Sequence, residues 1–134
     1  MEYRLCVCVD ENSKKSAFAF YNQQEFCVYR RVLDMEESDT CLEYVRMCET
    51  ALEYFRKNMR NRYYTEHFSE LLDEDRAIVL CTDRELVDAF LSYRNDGAPI
   101  PPKYESLRVR FDIWSVSFEY IPDSPLHDRT RELI

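Results

Sequence analysis

The chain is short of positive charge: 18 Lys and Arg stand against 26 Asp and Glu, giving a net charge of −8 over 134 residues. This balance argues against a basic protein that wraps nucleic acid or an anionic membrane, because both neutralise phosphates with clustered Lys and Arg, and any phosphate site must be local. Cysteine pairs are missing as well. The six cysteines, Cys6, Cys8, Cys27, Cys41, Cys48 and Cys81, form no CxxC and fall inside apolar strand-like or helix-like runs. They read as reduced core thiols of an intracellular protein, cytoplasmic or nuclear, and against a zinc site. No apolar stretch reaches membrane length, and the opening MEYRLCVCVD lacks the basic-then-apolar layout of a signal peptide, so no membrane partner is expected. There are no internal repeats and no low-complexity segment. At 46% hydrophobic residues, the length suits a single domain spanning residues 1–134.

What is present centres on AIVLCTDRELVDAFL, Ala77 to Leu91. Four apolar residues, Ala77 to Leu80, predict a strand buried on both faces. Leu86, Val87, Phe90 and Leu91 then recur at helical spacing, which leaves Asp83 at a strand tip on the carboxyl edge of a sheet. Taken alone, Asp83 reads first as the N-cap of that helix. The helix is expected to stop at Asn95-Asp96-Gly97, where the only glycine of the chain lies.

Upstream, YRLCVCVD (residues 3–10) has apolar residues on both faces, as in a central strand, and ends in Asp10. A polar turn leads to SAFAFY, and EFCVYRRVL follows, so the three segments predict an antiparallel meander. Residues 38–60 carry Ser38, Asp39 and Thr40 as candidate caps, a broad apolar arc, and Arg56, Lys57 and Arg60 near the end; this is a helix packed on a sheet. Glu43 and Glu49 border the arc, each reading by itself as a solvated flank residue. A short helix over Glu66 to Leu72 and an acidic, solvated Asp73-Glu74-Asp75 come next. After Pro99, Pro101 and Pro102, a helix is expected over Lys103 to Trp114 with Tyr104, Leu107, Phe111 and Trp114 on one stripe. SVSFEYI then forms a last strand with Val116, Phe118 and Tyr120 on one face, and Leu126 to Ile134 forms one or two closing helical turns.

This order of elements, with acids at the ends of two strands and on the first helix, resembles the ribonuclease H fold. IVLCTDRELV resembles the fourth strand of cellular ribonucleases H, where an aliphatic run ends in Thr-Asp. TCLEYVRMCETALEYF resembles their first helix, and FEYIPDSPLHDRTREL their last strand, loop and final helix. The resemblance implies an α/β protein with a five-stranded mixed sheet of order 3-2-1-4-5 flanked by helices. It also implies hydrolysis of the RNA strand of an RNA–DNA hybrid by two Mg²⁺ or Mn²⁺ ions. Hard cations need several carboxylates, and two ions about 4 Å apart activate the water and stabilise the leaving oxygen. Carried over, Asp10 bridges both metals, Glu43 and Asp83 each bind one, and Asp128 is a candidate fourth ligand, with capping of the last helix the alternative for it.

The chain departs from the family pattern at three places. Glu11, Asn12 and Ser13 stand where the family has small residues and glycine, Arg131 stands where it has its fourth acid, and His127 falls near its histidine or asparagine but reads more simply as a lone surface histidine. Two functions follow from this: an RNA–DNA hybrid nuclease, or a catalytically inactive ribonuclease H-like module that binds a protein partner.

Overall fold

Leu5 and Val7 of the first strand, β1 (Glu2–Asp10), are buried on one face, and Cys6 is buried on the other. This double burial fixes β1 at the centre of the sheet. The computed structural model describes residues 2–59, 76–113 and 117–134. A four-residue turn, in which Lys14 takes a left-handed φ of 58°, returns the chain into β2 (Lys15–Tyr21). β2 pairs antiparallel with β1 through Val7 opposite Phe18 and Cys8 opposite Ala17. The third strand, β3 (Cys27–Asp34), pairs antiparallel with β2 and completes the meander.

On the other side of β1, β4 (Arg76–Cys81) runs parallel to it, with Cys6 opposite Leu80. β5 (Ser117–Tyr120) runs parallel to β4, giving the order β3-β2-β1-β4-β5 that the resemblance implied.

Helices cover both faces. On one lie α1 (Thr40–Tyr54), α2 (Arg84–Asp96) and α3 (Arg108–Ile113), preceded by a 3₁₀ segment over Pro102–Leu107. Val45, Met47, Cys48 and Ala51 of α1 and Leu86, Val87 and Phe90 of α2 pack there with Leu5, Val7, Phe18, Phe20 and Val79. On the other face lies α4 (Pro125–Arg131), whose Leu126 packs on Cys6, Ala19, Tyr21 and Leu80.

Asp39 caps α1 by accepting from the Cys41 and Leu42 backbone N–H groups at 2.8 and 3.1 Å. The helix expected over 38–60 changes to a π-helical turn at Phe55–Met59. The helix expected from Lys103 to Trp114 is instead split. Pro101 and Pro102 start it as a tight 3₁₀ turn, closed by the Tyr104 N–H donating to the Pro101 carbonyl at 2.9 Å, and α-helical geometry begins only at Arg108. Its inward stripe survives the split, with Tyr104, Leu107 and Phe111 all buried.

The third strand begins later than expected, and Phe26 stays outside it at 67% exposure. The expectation that all six cysteines are core residues is corrected at two: Cys27 is exposed and Cys41 half-buried, while the other four are buried. Cys27 belongs to an edge strand, of which only one face is covered. The expected helix at Glu66 to Leu72, the acidic Asp73 to Asp75, and Trp114 and Val116 lie outside the described residues.

Candidate functional site at the carboxyl edge of the sheet

Because β1 and β4 are parallel neighbours, their carboxyl ends emerge side by side, and Asp10 and Asp83 stand at the tips of adjacent strands. A cleft of about 240 Å³ opens there. β1 contributes Cys8, the β4 end Cys81, Thr82 and Asp83, α1 Thr40, Cys41 and Tyr44, and α4 His127 and Arg131. Of the four acids singled out in the sequence, Asp83 lines this cleft; Asp10, Glu43 and Asp128 do not.

Asp83 holds two structural posts at once. Its side chain caps α2 by accepting from the Leu86 N–H at 3.2 Å, and both its oxygens accept from the Tyr104 hydroxyl, at 3.3 and 3.1 Å. Burial, together with the Asp83 charge, pushes the Tyr104 phenol up to about 12. Asp10 is turned into its own hairpin, accepting from the Asn12 N–H at 3.0 Å and the Ser13 hydroxyl at 2.9 Å. Asp128 lies exposed on α4 and pairs with Arg131 one turn on, at 3.3 Å.

Glu43 departs furthest from the solvated flank residue it reads as by spacing, since it is 0% exposed. One oxygen accepts from the Glu36 and Glu37 N–H groups at 3.1 and 3.2 Å and from Arg46 Nε at 2.9 Å. The other accepts from Ser16 Oγ at 2.7 Å and a second Arg46 nitrogen at 2.6 Å. Burial works to raise its pKa, but the bonds from Arg46, Ser16 and the two backbone N–H groups outweigh it and hold the carboxyl at about 2.

A divalent cation needs carboxylate oxygens with free lone pairs turned toward a common point. Glu43 has both oxygens committed to five protein hydrogen bonds, and no three His, Cys, Asp or Glu side chains among the described residues group closely enough to hold one ion. As arranged, these residues do not fit a two-ion centre.

The cleft floor corrects the reading of His127 as a surface histidine, because α4 lays the ring against the strand ends. His127 is 4% exposed, and neither ring nitrogen has a well-formed hydrogen bond among the described residues. Burial lowers its pKa; the Leu80 backbone opposes this, Arg131 adds to it and Asp128 opposes it. The Tyr44 hydroxyl, beside the thiols of Cys48 and Cys81, is buried without a well-formed bond as well, and burial raises its pKa well above the ordinary value. The signal that could have found this floor is the stripe Cys41, Tyr44 and Cys48 at 3-4 spacing, which points α1 toward the strand ends through neutral side chains while Glu43 points elsewhere.

An antiparallel three-strand meander extended by two parallel strands, with helices on both faces, defines a ribonuclease H-like fold. Solved structures agree. The chain superimposes on the LC11 ribonuclease H1 in complex with an RNA/DNA hybrid with a TM-score of 0.56 at 10% identity, covering 98% of this chain and 91% of that one. A second structure, of LC11 ribonuclease H1 isolated from compost by a metagenomic approach, gives a TM-score of 0.55 at 11% identity with the same coverages. No family model and no curated protein matches the sequence.

Proposed function

We propose that this chain is a non-catalytic ribonuclease H-like module that binds a protein partner in a reducing, intracellular compartment. One observation carries the reading: Glu43, the helix acid of the implied catalytic set, is used up inside the protein, with zero exposure and five hydrogen bonds. Freeing it for a cation would break its ion pair with Arg46 and leave the Ser16 hydroxyl and the Glu36 and Glu37 N–H groups without their acceptor, at a cost of several kcal/mol, about 1–3 for each buried donor left unpaired. Support also comes from Asp10 and Asp128, which are engaged by their own neighbours outside the cleft. The six free thiols are compatible with the reducing location.

The alternative is hydrolysis of the RNA strand of an RNA–DNA hybrid with Mg²⁺ or Mn²⁺. In its favour, Asp83 lines the cleft at the tip of a strand adjacent to β1. The two readings separate in one assay. Protein purified free of contaminating nuclease should leave an RNA–DNA hybrid intact in millimolar Mg²⁺ or Mn²⁺, and neither ion should move its melting temperature by mass action. Metal-dependent cleavage that Asp83→Asn or Asp128→Asn lowers tenfold or more, about 1.4 kcal/mol of transition-state stabilisation, would overturn the module and establish the nuclease.

A further inference from the structure

The sheet ends on β3, and among the described residues no strand pairs with its outer edge. In an antiparallel pair, directly opposed residues share a face. Arg30 lies opposite Ala19 and Val32 opposite Ala17, so both lie on the α4 side of the sheet. Helix α4 packs on Ala19 and Tyr21 of β2, and on β3 Val28 is left at 44% and Val32 at 38% exposure. Phe26, just before the strand, is 67% exposed. The register shift at Phe20/Tyr21 confines the irregularity to the start of β3 and leaves Tyr29 to Asp34 in regular pairing.

Charge selects the occupant. Arg30 and Arg31 sit mid-strand, exposed, with no ion pair among the described residues. Arg129 adds positive charge nearby, stacked over Tyr21 and bonded to the Glu25 carbonyl, while Arg4 is offset by the Glu25 carboxylate at 4.0 Å. This is a local basic strip on a chain of net charge −8. A second copy paired antiparallel about the middle of β3 would set Arg30 against Arg31 of its mate, and like charges directly opposite destabilise a ladder. The same two charges attract an acidic strand and repel self-association.

We infer that the outer edge of β3 takes an extended segment of a partner protein as a sixth strand, with acidic residues opposite Arg30 and Arg31 and apolar residues against Val28 and Val32. This rests on the module reading and names the partner's chemistry. Three labelled peptides test it, built on the antiparallel pattern Val-Xaa-Xaa-Ser-Val, which sets valine against Val32 and Val28 and Xaa against Arg31 and Arg30, with Xaa glutamate, serine or lysine. The glutamate peptide is expected to bind at least tenfold more tightly than the serine peptide. Slowed amide exchange in the protein should be confined to residues 27–34. The preference should fall at least tenfold in the double variant Arg30→Ser/Arg31→Ser, whose melting temperature should match the parent because both side chains are exposed.

Equal binding of the three peptides, a preference that survives in the variant, or protection mapping elsewhere overturns the inference. A dimer in sedimentation that Arg30→Glu disperses assigns the edge to a second copy and overturns it too, as does RNA–DNA hybrid binding lost in the serine variant. Failure here without hybrid cleavage leaves the module reading standing, whereas metal-dependent cleavage removes that reading whatever the peptides do.

Discussion

Glu43 remains charged at neutral pH without contact with solvent, and the sign of its effect on stability follows from its two titrations. The folded carboxyl titrates near 2 and the unfolded one near 4.5, so the Arg46 and Ser16 network contributes fully above about pH 4.5 and is lost as pH falls toward 2. That contribution is on the order of 3 kcal/mol. Glu43→Gln removes the charge and sets an amide donor against the Arg46 guanidinium. At pH 7 it should destabilise the fold by about 2–4 kcal/mol, with the gap to the parent closing below pH 3. Urea unfolding over a pH series checks this, and a gap that does not change with pH would remove Glu43 as its source. In the sequence Glu43 offered two readings, a solvated flank and a ligand, and its burial overturns the first. Its position depends on Ser16 from another strand and on two N–H groups of the loop before α1, partners that helical periodicity does not reveal.

The ends of the elements were readable because capping is local. Asp83 and Gly97 bracket α2 as the sequence indicated: Asp83 accepts from the Leu86 N–H, and Gly97 takes a φ of 66° while donating back to the Tyr93 carbonyl at 3.1 Å. A Cβ at position 97 would meet nothing within 4 Å, so the cost of Gly97→Ala is conformational alone, about 1 kcal/mol, with no change of fold. Asp83→Asn keeps a capping oxygen, whereas Asp83→Ala loses the cap and leaves the Tyr104 hydroxyl without its acceptor. The alanine variant should therefore fall below the asparagine variant by about 1–2 kcal/mol in thermal unfolding. Equal stability of the two would mean that the cap carries no weight. The break between the 3₁₀ segment and α3 was less readable, because Tyr104, Leu107 and Phe111 keep an inward stripe whether the chain is wound with three residues per turn or 3.6.

At the scale of the molecule, the fold was legible through the order of its elements, since a meander followed by strands that alternate with helices leaves few ways to close a mixed sheet. The candidate site was less so, because it depends on which side chains the strand ends turn into the cleft, and there Cys8, Tyr44, Cys81 and His127 stand beside Asp83. The thiols test this arrangement. A thiol reagent reacts with the thiolate, and burial pushes Cys6 up to about 12 and Cys8 to about 11, while Cys48 and Cys81 are also raised by burial. At pH 8 a thiol titrating near 11 has roughly a thousandth of its population ionised, before access is considered. In denaturant all six cysteines should react. In the native protein Cys27, the one exposed cysteine, should react first and Cys41 more slowly. Cys6, Cys8, Cys48 and Cys81 should wait for opening, so their rate should rise with denaturant in step with unfolding. Fast native labelling of Cys8 or Cys81, located by mass spectrometry, would show that the cleft opens independently of the core beneath it. That outcome would contradict a site whose floor is packed as tightly as the sheet, with Leu80 and Val79 within 1% of full burial directly before Cys81.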